Sequence, residues 1–242
     1  MNYKLEVIGF TLESCIVAQQ AGAHRIELCD NPAEGGTTPS YGFIKEAREK
    51  LQIDLYSMIR PRGGDFLYSD EEFEIMCEDV KVCKSLMCDG VVFGILNADG
   101  TVDRKRNAKL LELAYPMGVT FHRAFDRTNN AFDTLETLID LGFERVLTSG
   151  LKPTVTEGKE LLKALVEKAA ERIIVMPGSG IRSNNIKEIA AITGATEFHS
   201  SARKQVDSKM NYINEEMNEK LTAVLTDGEE IKKILTELNG FS

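Results

Sequence analysis

Short apolar runs alternate with longer amphipathic stretches from one end of the chain to the other. The runs over residues 4–8, 25–29, 54–59, 90–94, 118–121, 145–148, 173–176 and 197–199 are rich in β-branched and aromatic side chains. Runs of this length and composition predict buried strands. The stretches between them carry apolar residues at helical spacing and open on capping residues. Thr11 precedes a predicted helix that ends near residue 20. A Gly- and Pro-rich loop over 31–40 leads into a second helix over 41–50. Ser69 and Glu72 form a capping-box pattern ahead of a helix to about residue 87, and Asp103 opens the next. Phe132, Leu135 and Ile139 mark one face of the helix after the fifth strand. Thr154 and Glu157 cap a helix over 157–170, and another spans 184–192. The last follows Asp227, with Ile231, Ile234, Leu235 and Leu238 at i, i+3, i+4 and i+7.

Eight strand-then-helix units in strict alternation imply parallel strands joined by right-handed crossovers. In 242 residues they favour a closed (β/α)8 TIM-type barrel over an open doubly wound sheet, with the whole chain as a single domain. Only residues 204–226, between the last strand and the last helix, break the rhythm. This segment is polar and long for its place, and is expected to be a surface excursion carrying a short helix. A lid over the mouth or a contact arm for another subunit are its other readings.

Composition narrows the function classes. The formal net charge is −9 and the sequence pI is about 5.0, which excludes a generally basic nucleic-acid or anionic-membrane surface. No apolar run approaches the ~20 residues that span a bilayer. The N-terminal residues run straight into the first strand without a signal-peptide pattern, so a cytoplasmic protein is expected. Five cysteines, odd in number and without C-x-x-C spacing, fit free thiols in a reducing compartment.

Chemistry is expected at the C-terminal ends of the strands, where barrels of this kind carry it. The stretch 118–127 starts as a strand and breaks abruptly into His122, Arg123, Asp126 and Arg127. Glu6, Glu27 and Cys29 lie at positions that can face the barrel interior, and a buried carboxylate needs a cationic partner or a metal. Arg60, Arg62, His122 and Arg123 are the partners expected for Glu6 and Glu27. The candidate catalytic set is therefore Glu6, Glu27, His122, Arg123 and Asp126, with His122 or Glu27 as general acid or base. Arg60, Arg62 and Arg123 would clamp an anion through planar guanidinium groups. The loops after strands six to eight add Ser149, Gly178, Ser179, Gly180, Ser200, Ser201 and Arg203 as an anion site. Small anionic metabolites, phosphorylated ones included, are the matching ligand class. His24 precedes the second strand and is expected to be structural. Cys29, Met58 and Met176 are the soft atoms near the mouth, and sulfur ligands suit Cu(I).

Six segments carry a family resemblance: Gly22–Cys29, Met58–Phe66, Asp89–Gly94, Thr120–Asp126, Leu147–Gly150 and Met176–Ile181. Together they resemble the CutC copper homeostasis family over most of the chain, more loosely after Arg203. The resemblance implies a cytoplasmic barrel, copper binding through cysteine ligands, and homo-oligomers. Only Cys29 lies in a shared motif. Ser179 stands where family members often carry glycine. A barrel enzyme acting on a small anionic metabolite is the competing expectation.

Overall fold

Each predicted strand forms, because its apolar run is covered on the outside by the helix that follows it. The computed structural model describes residues 3–218 and 221–240. The strands are β1 (Lys4–Gly9), β2 (Arg25–Leu28), β3 (Asp54–Met58), β4 (Gly90–Phe93), β5 (Gly118–Phe121), β6 (Arg145–Thr148), β7 (Ile174–Pro177) and β8 (Glu197–Ser200). They pair in parallel in the order β7-β6-β5-β4-β3-β2-β1-β8. β7 and β8 then come side by side: a Cβ on Gly178 would stand 3.1 Å from the His199 Cβ. The result is a nearly closed (β/α)8 barrel.

Among the described residues eight helices surround it: α1 (Leu12–Gln20), α2 (Tyr41–Lys50), α3 (Asp70–Ser85), α4 (Arg104–Ala114), α5 (Ala131–Leu141), α6 (Val155–Ala169), α7 (Ile186–Thr193) and α8 (Gly228–Asn239). Thr11, Thr154 and the reciprocal Ser69–Glu72 box cap α1, α6 and α3 as their spacing predicts. The buried stripe of α5 differs from expectation. Ala131, Thr134, Leu135 and Leu138 face the core, while Phe132 is 41% exposed. Asn130 caps the helix and sets its phase, so the stripe starts at residue 131 and puts Phe132 about 100° off it. The main core lies between the outer strand faces and the helices, with Leu5, Val7, Ile26, Leu28, Phe121 and Leu135 fully buried in it.

The excursion is a two-stranded ribbon rather than a helical segment. β9 (Arg203–Asp207) pairs antiparallel with β10 (Thr222–Thr226), and Glu215–Met217 forms one 3-10 turn between them. Thr, Val and Leu on β10 favour the extended pairing.

The inside of the barrel is partly ionic at its lower end. Arg25 donates from Nε to Glu6 at 2.5 Å and from Nη2 to Glu197 at 2.7 Å. Arg145 donates to the same Glu197 oxygen at 2.7 Å and to Glu144 at 3.0 Å. Both guanidinium groups lie over the Tyr56 ring, 5.0 and 5.5 Å from its centre. Gly90 and Gly118 make room for that ring, since a Cβ at either would stand 2.4 Å or less from a Tyr56 atom.

Glu197 thus balances two buried arginines. Glu197→Gln leaves both without their shared partner and should cost about 3–5 kcal/mol, read as a lower denaturant midpoint. The two arginines outweigh burial and hold the Glu197 pKa below its ordinary value. A depressed folded pKa gives stability that is present above the unfolded pKa and lost as pH falls. Wild-type stability should therefore decline as pH drops below about 4.5, and the variant should decline less. Equal midpoints for the two proteins would contradict this role.

Candidate functional site

Strand parity puts Arg25, Glu27 and Cys29 of the β2 run on one face, and the pairing register sets Glu6 on β1 beside Arg25 on β2 and His199 on β8. These side chains meet in the closed middle of the barrel. Glu6, Glu27 and Cys29 are at most 1% exposed and His199 7%. His199 Nδ1 donates to Glu6 Oε1 at 2.8 Å, and its Nε2 lies 3.9 Å from Glu27 Oε2. The Cys29 thiol faces the same Glu27 oxygen at 3.7 Å. Glu27 Oε1 is buried and has no hydrogen-bond partner among the described residues.

The two carboxylates differ in their surroundings. Burial raises the pKa of each. For Glu6, Arg25 and His199 outweigh burial and hold it at about 2. For Glu27, burial prevails over the attraction of His199 and pushes it to about 7. Burial alone would lower the His199 pKa, and Glu27 with Glu6 raises it instead. Burial and the facing Glu27 push the Cys29 thiol well above its usual range.

The expected cationic partners of Glu6 and Glu27 are replaced by others. Arg25 and His199 stand against Glu6, and His199 against Glu27. Arg25, Arg145 and Glu197 escaped the sequence reading, although Arg25 lies two residues before Glu27 and so shares its face. His122 sits elsewhere. Its Nδ1 accepts from the Ala124 N–H at 3.2 Å, so the neutral ring carries its proton on Nε2, which is buried without a partner among the described residues. The Phe66 ring centre is 4.7 Å away. Burial, with the Arg60 cation nearby, lowers the His122 pKa to about 3 and keeps the ring neutral.

Arg60 is turned toward backbone. It donates to the carbonyls of Glu34 and Gly36 at 2.7 and 2.8 Å and of Gly64 at 2.9 Å. It thereby ties the loop after β2 to the loop after β3. That loop closes over Cys29: a Cβ on Gly36 would stand 3.0 Å from Cys29 Sγ and 3.7 Å from Met58 Cε. The Cys29 and Met58 side chains thus belong to one small apolar cluster beneath Gly36. Met176 is engaged differently, its sulfur accepting from Arg25 at 3.4 Å. Arg62 is held by Glu72 at 2.6 Å and Asp65 at 3.0 Å, away from Arg60's carbonyls.

Arg123, Asp126 and Ser149 do come together. Asp126 accepts from Arg123 Nε at 2.7 Å, from Thr148 Oγ1 at 2.6 Å and from the backbone N–H of Ser149 and Leu151. Arg123 Nη2 also donates to Ser149 Oγ at 2.9 Å. With Arg60, Arg123 and Asp126 line a cavity of about 730 Å³ under the loops after β2 to β5.

The loops after β7 and β8 border a second cavity of about 510 Å³, lined by Arg182, Arg203, Lys204 and Gln205. Of the expected anion-binding residues there, Arg203 reaches this cavity. Ser179 Oγ donates to the Pro153 carbonyl and Ser200 Oγ to that of Ile181, both at 2.8 Å. Gly178 packs against Leu147 and His199, Gly180 takes φ +88°, and Ser201 is half-buried at the end of β8. Arg182 and Lys204 joined the cluster only through folding.

His24 is structural as expected, its Nδ1 accepting from the Leu5 N–H at 3.1 Å. The other cysteines are free: Cys15, Cys83 and Cys88 are buried and Cys77 is half-buried. No helix of the described residues is long and apolar enough to cross a membrane.

Comparison with known proteins covers the same barrel. A model of the CutC family matches residues 3–204. A CutC family protein of Chromobacterium violaceum is 54% identical over 212 residues, 88% of this chain and 86% of that relative. The copper homeostasis protein cutC homolog of Homo sapiens is 48% identical over 213 residues, 88% of this chain and 78% of that relative. The crystal structure of a copper homeostasis protein CutC from Streptococcus agalactiae superposes with a TM-score of 0.79 at 37% identity, over 82% of this chain and 98% of that one. Phosphoribosylanthranilate isomerase of Thermotoga maritima shares the fold alone, at a TM-score of 0.60 and 13% identity over 98% of this chain and 99% of that one.

Proposed function

The chain belongs to the CutC family, and on that premise we propose that it acts in copper homeostasis by holding one Cu(I) ion at Cys29. One observation carries the placement. The Cys29 thiol lies inside the barrel, shares a small apolar cluster with Met58 beneath Gly36, and faces Glu27 as an acceptor for the proton it must lose. Thiolate and thioether are soft donors that favour Cu(I) over hard ions. Burial disfavours the free thiolate, so a bound monovalent cation and loss of the thiol proton would go together. Five free cysteines support a reducing, cytoplasmic setting.

A second role is favoured by the 510 Å³ cavity. Among the described residues no carboxylate pairs with Arg182 or Arg203, and Lys204 is only 3.9 Å from Asp227. Three cations around one cavity suit a small phosphorylated or otherwise anionic metabolite. The β9–β10 arm in turn exposes Met210, Tyr212, Ile213, Met217 and Leu221, a surface suited to a second copy of this chain.

Three experiments address these roles. In an anaerobic Cu(I) titration against a strong competing chelator, wild type should bind one equivalent and Cys29→Ser should lose at least tenfold in affinity. Binding that survives in Cys29→Ser, or that disappears instead in Cys83→Ser or Cys88→Ser, would move copper elsewhere. Inorganic phosphate should bind Arg203→Ala about 10–100-fold more weakly than wild type, the loss of one charge-assisted hydrogen bond. An unchanged Kd would remove the anion role from this cavity. In sedimentation, Tyr212→Ser with Ile213→Ser should yield a smaller species than wild type; an identical mass would clear the arm of assembly.

A further inference from the structure

We propose that Glu6, Glu27 and His199 form a site for one divalent first-row cation, with Glu27 and the His199 Nε2 as direct ligands and Glu6 as the group that orients the imidazole. Ligand atoms of all three lie within 4.8 Å of one another, and all three residues are buried. The site needs neither Cys29 nor copper, so it stands or fails separately from Cu(I) binding at the thiol.

Charge is the first ground. Three carboxylates, Glu6, Glu27 and Glu197, face the barrel interior around two guanidinium groups, Arg25 and Arg145. The arginines are taken up by Glu6 and Glu197, with Glu144 sharing Arg145. Glu27 receives no arginine contact. Among the described residues its fully buried Oε1 has no partner, and its Oε2 meets the Cys29 thiol and His199 Nε2. A buried carboxylate in this state is strongly disfavoured unless a cation reaches it.

Geometry is the second. His199 donates its Nδ1–H to Glu6, which fixes the tautomer and leaves the Nε2 lone pair for an electrophile. That Nε2 lies 3.9 Å from Glu27 Oε2. Two metal bonds of about 2.0 Å at a tetrahedral angle hold their ligand atoms about 3.3 Å apart, so the imidazole nitrogen and the carboxylate oxygen close by roughly 0.6 Å to share one ion. A carboxylate holding the far nitrogen of a ligating histidine is the recurrent outer-shell arrangement of such sites. The mixed oxygen and nitrogen donors suit Zn²⁺, Co²⁺ or Mn²⁺ better than a monovalent soft ion.

The test is a calorimetric titration of chelator-treated full-length protein with Zn²⁺, with Co²⁺ absorption as a second readout of the coordinating atoms. Wild type and Cys29→Ser should each bind one ion. Glu27→Gln should abolish binding, and Glu6→Gln should weaken it about 10–100-fold. Metal-free Glu27→Gln should melt no lower than wild type, because the substitution removes the unpartnered carboxylate. Glu27→Asp, which keeps the charge and withdraws it, should bind more weakly and serves if the glutamine variant does not fold. No binding by wild type, or equal binding by wild type and both Glu27 variants, would overturn the site. His199 would then be an imidazolium bridging the two carboxylates.

Discussion

The buried ion network inside the barrel is the constraint on which the rest depends. Arg25 joins Glu6 to Glu197, and Arg145 joins Glu197 to Glu144. A parallel barrel of this size is normally filled by branched apolar side chains in layers. Here charged groups fill part of it, and each has to find its counter-charge across strands far apart in sequence. The Tyr56 ring closes the same layer beneath the arginines, and glycines at 90 and 118 are required to admit it. Such a layer often stabilises less than a well-packed hydrophobic one, and removing one of its members leaves a buried charge uncompensated.

That fixed layer supports the chemically versatile one above it. Glu6 is shared between the layers: Arg25 holds one oxygen from below, and His199 holds the other from above. Glu27 and Cys29 are one and two strand steps further toward the mouth; Arg25 acts on Glu27 through its field, without an ion pair among the described residues. Two carboxylates twenty-one residues apart therefore behave oppositely, with pKa values of about 2 and about 7. The loop held by Arg60 packs on Cys29 through Gly36 and lines the 730 Å³ cavity through Glu34 and Gly35. The mouth, the buried middle and the basic cavity beside β8 are three chemically separate places in one barrel.

The eight units, their caps and the barrel were legible because they are local properties. Hydrophobic period, capping residues and strand length depend on neighbours within a turn or two. Burial of Glu6, Glu27 and Cys29 was legible too, since alternation along a strand follows from its pleat. The face of α5 was misread at Phe132, because two helical stripes share Leu135 and only the Asn130 cap decides between them. The β9–β10 ribbon was missed because its two strands are separated by a long polar stretch, β9 buries no residue and β10 buries only Thr226.

The sequence by itself thus determined the architecture and which residue types line its interior. Only the tertiary structure decided which of them touch. His122 and His199 both end strands, and the sequence reading chose His122; the register of β8 against β1 instead brings His199 to Glu6, while His122 turns to cap the turn that follows β5. Arg60 was an expected anion clamp, and loop closure gives it backbone carbonyls instead. The physical reason is that strand pairing and loop closure bring together residues up to nearly two hundred positions apart, and the energy of a buried charge depends on its neighbours in space rather than on its neighbours along the chain.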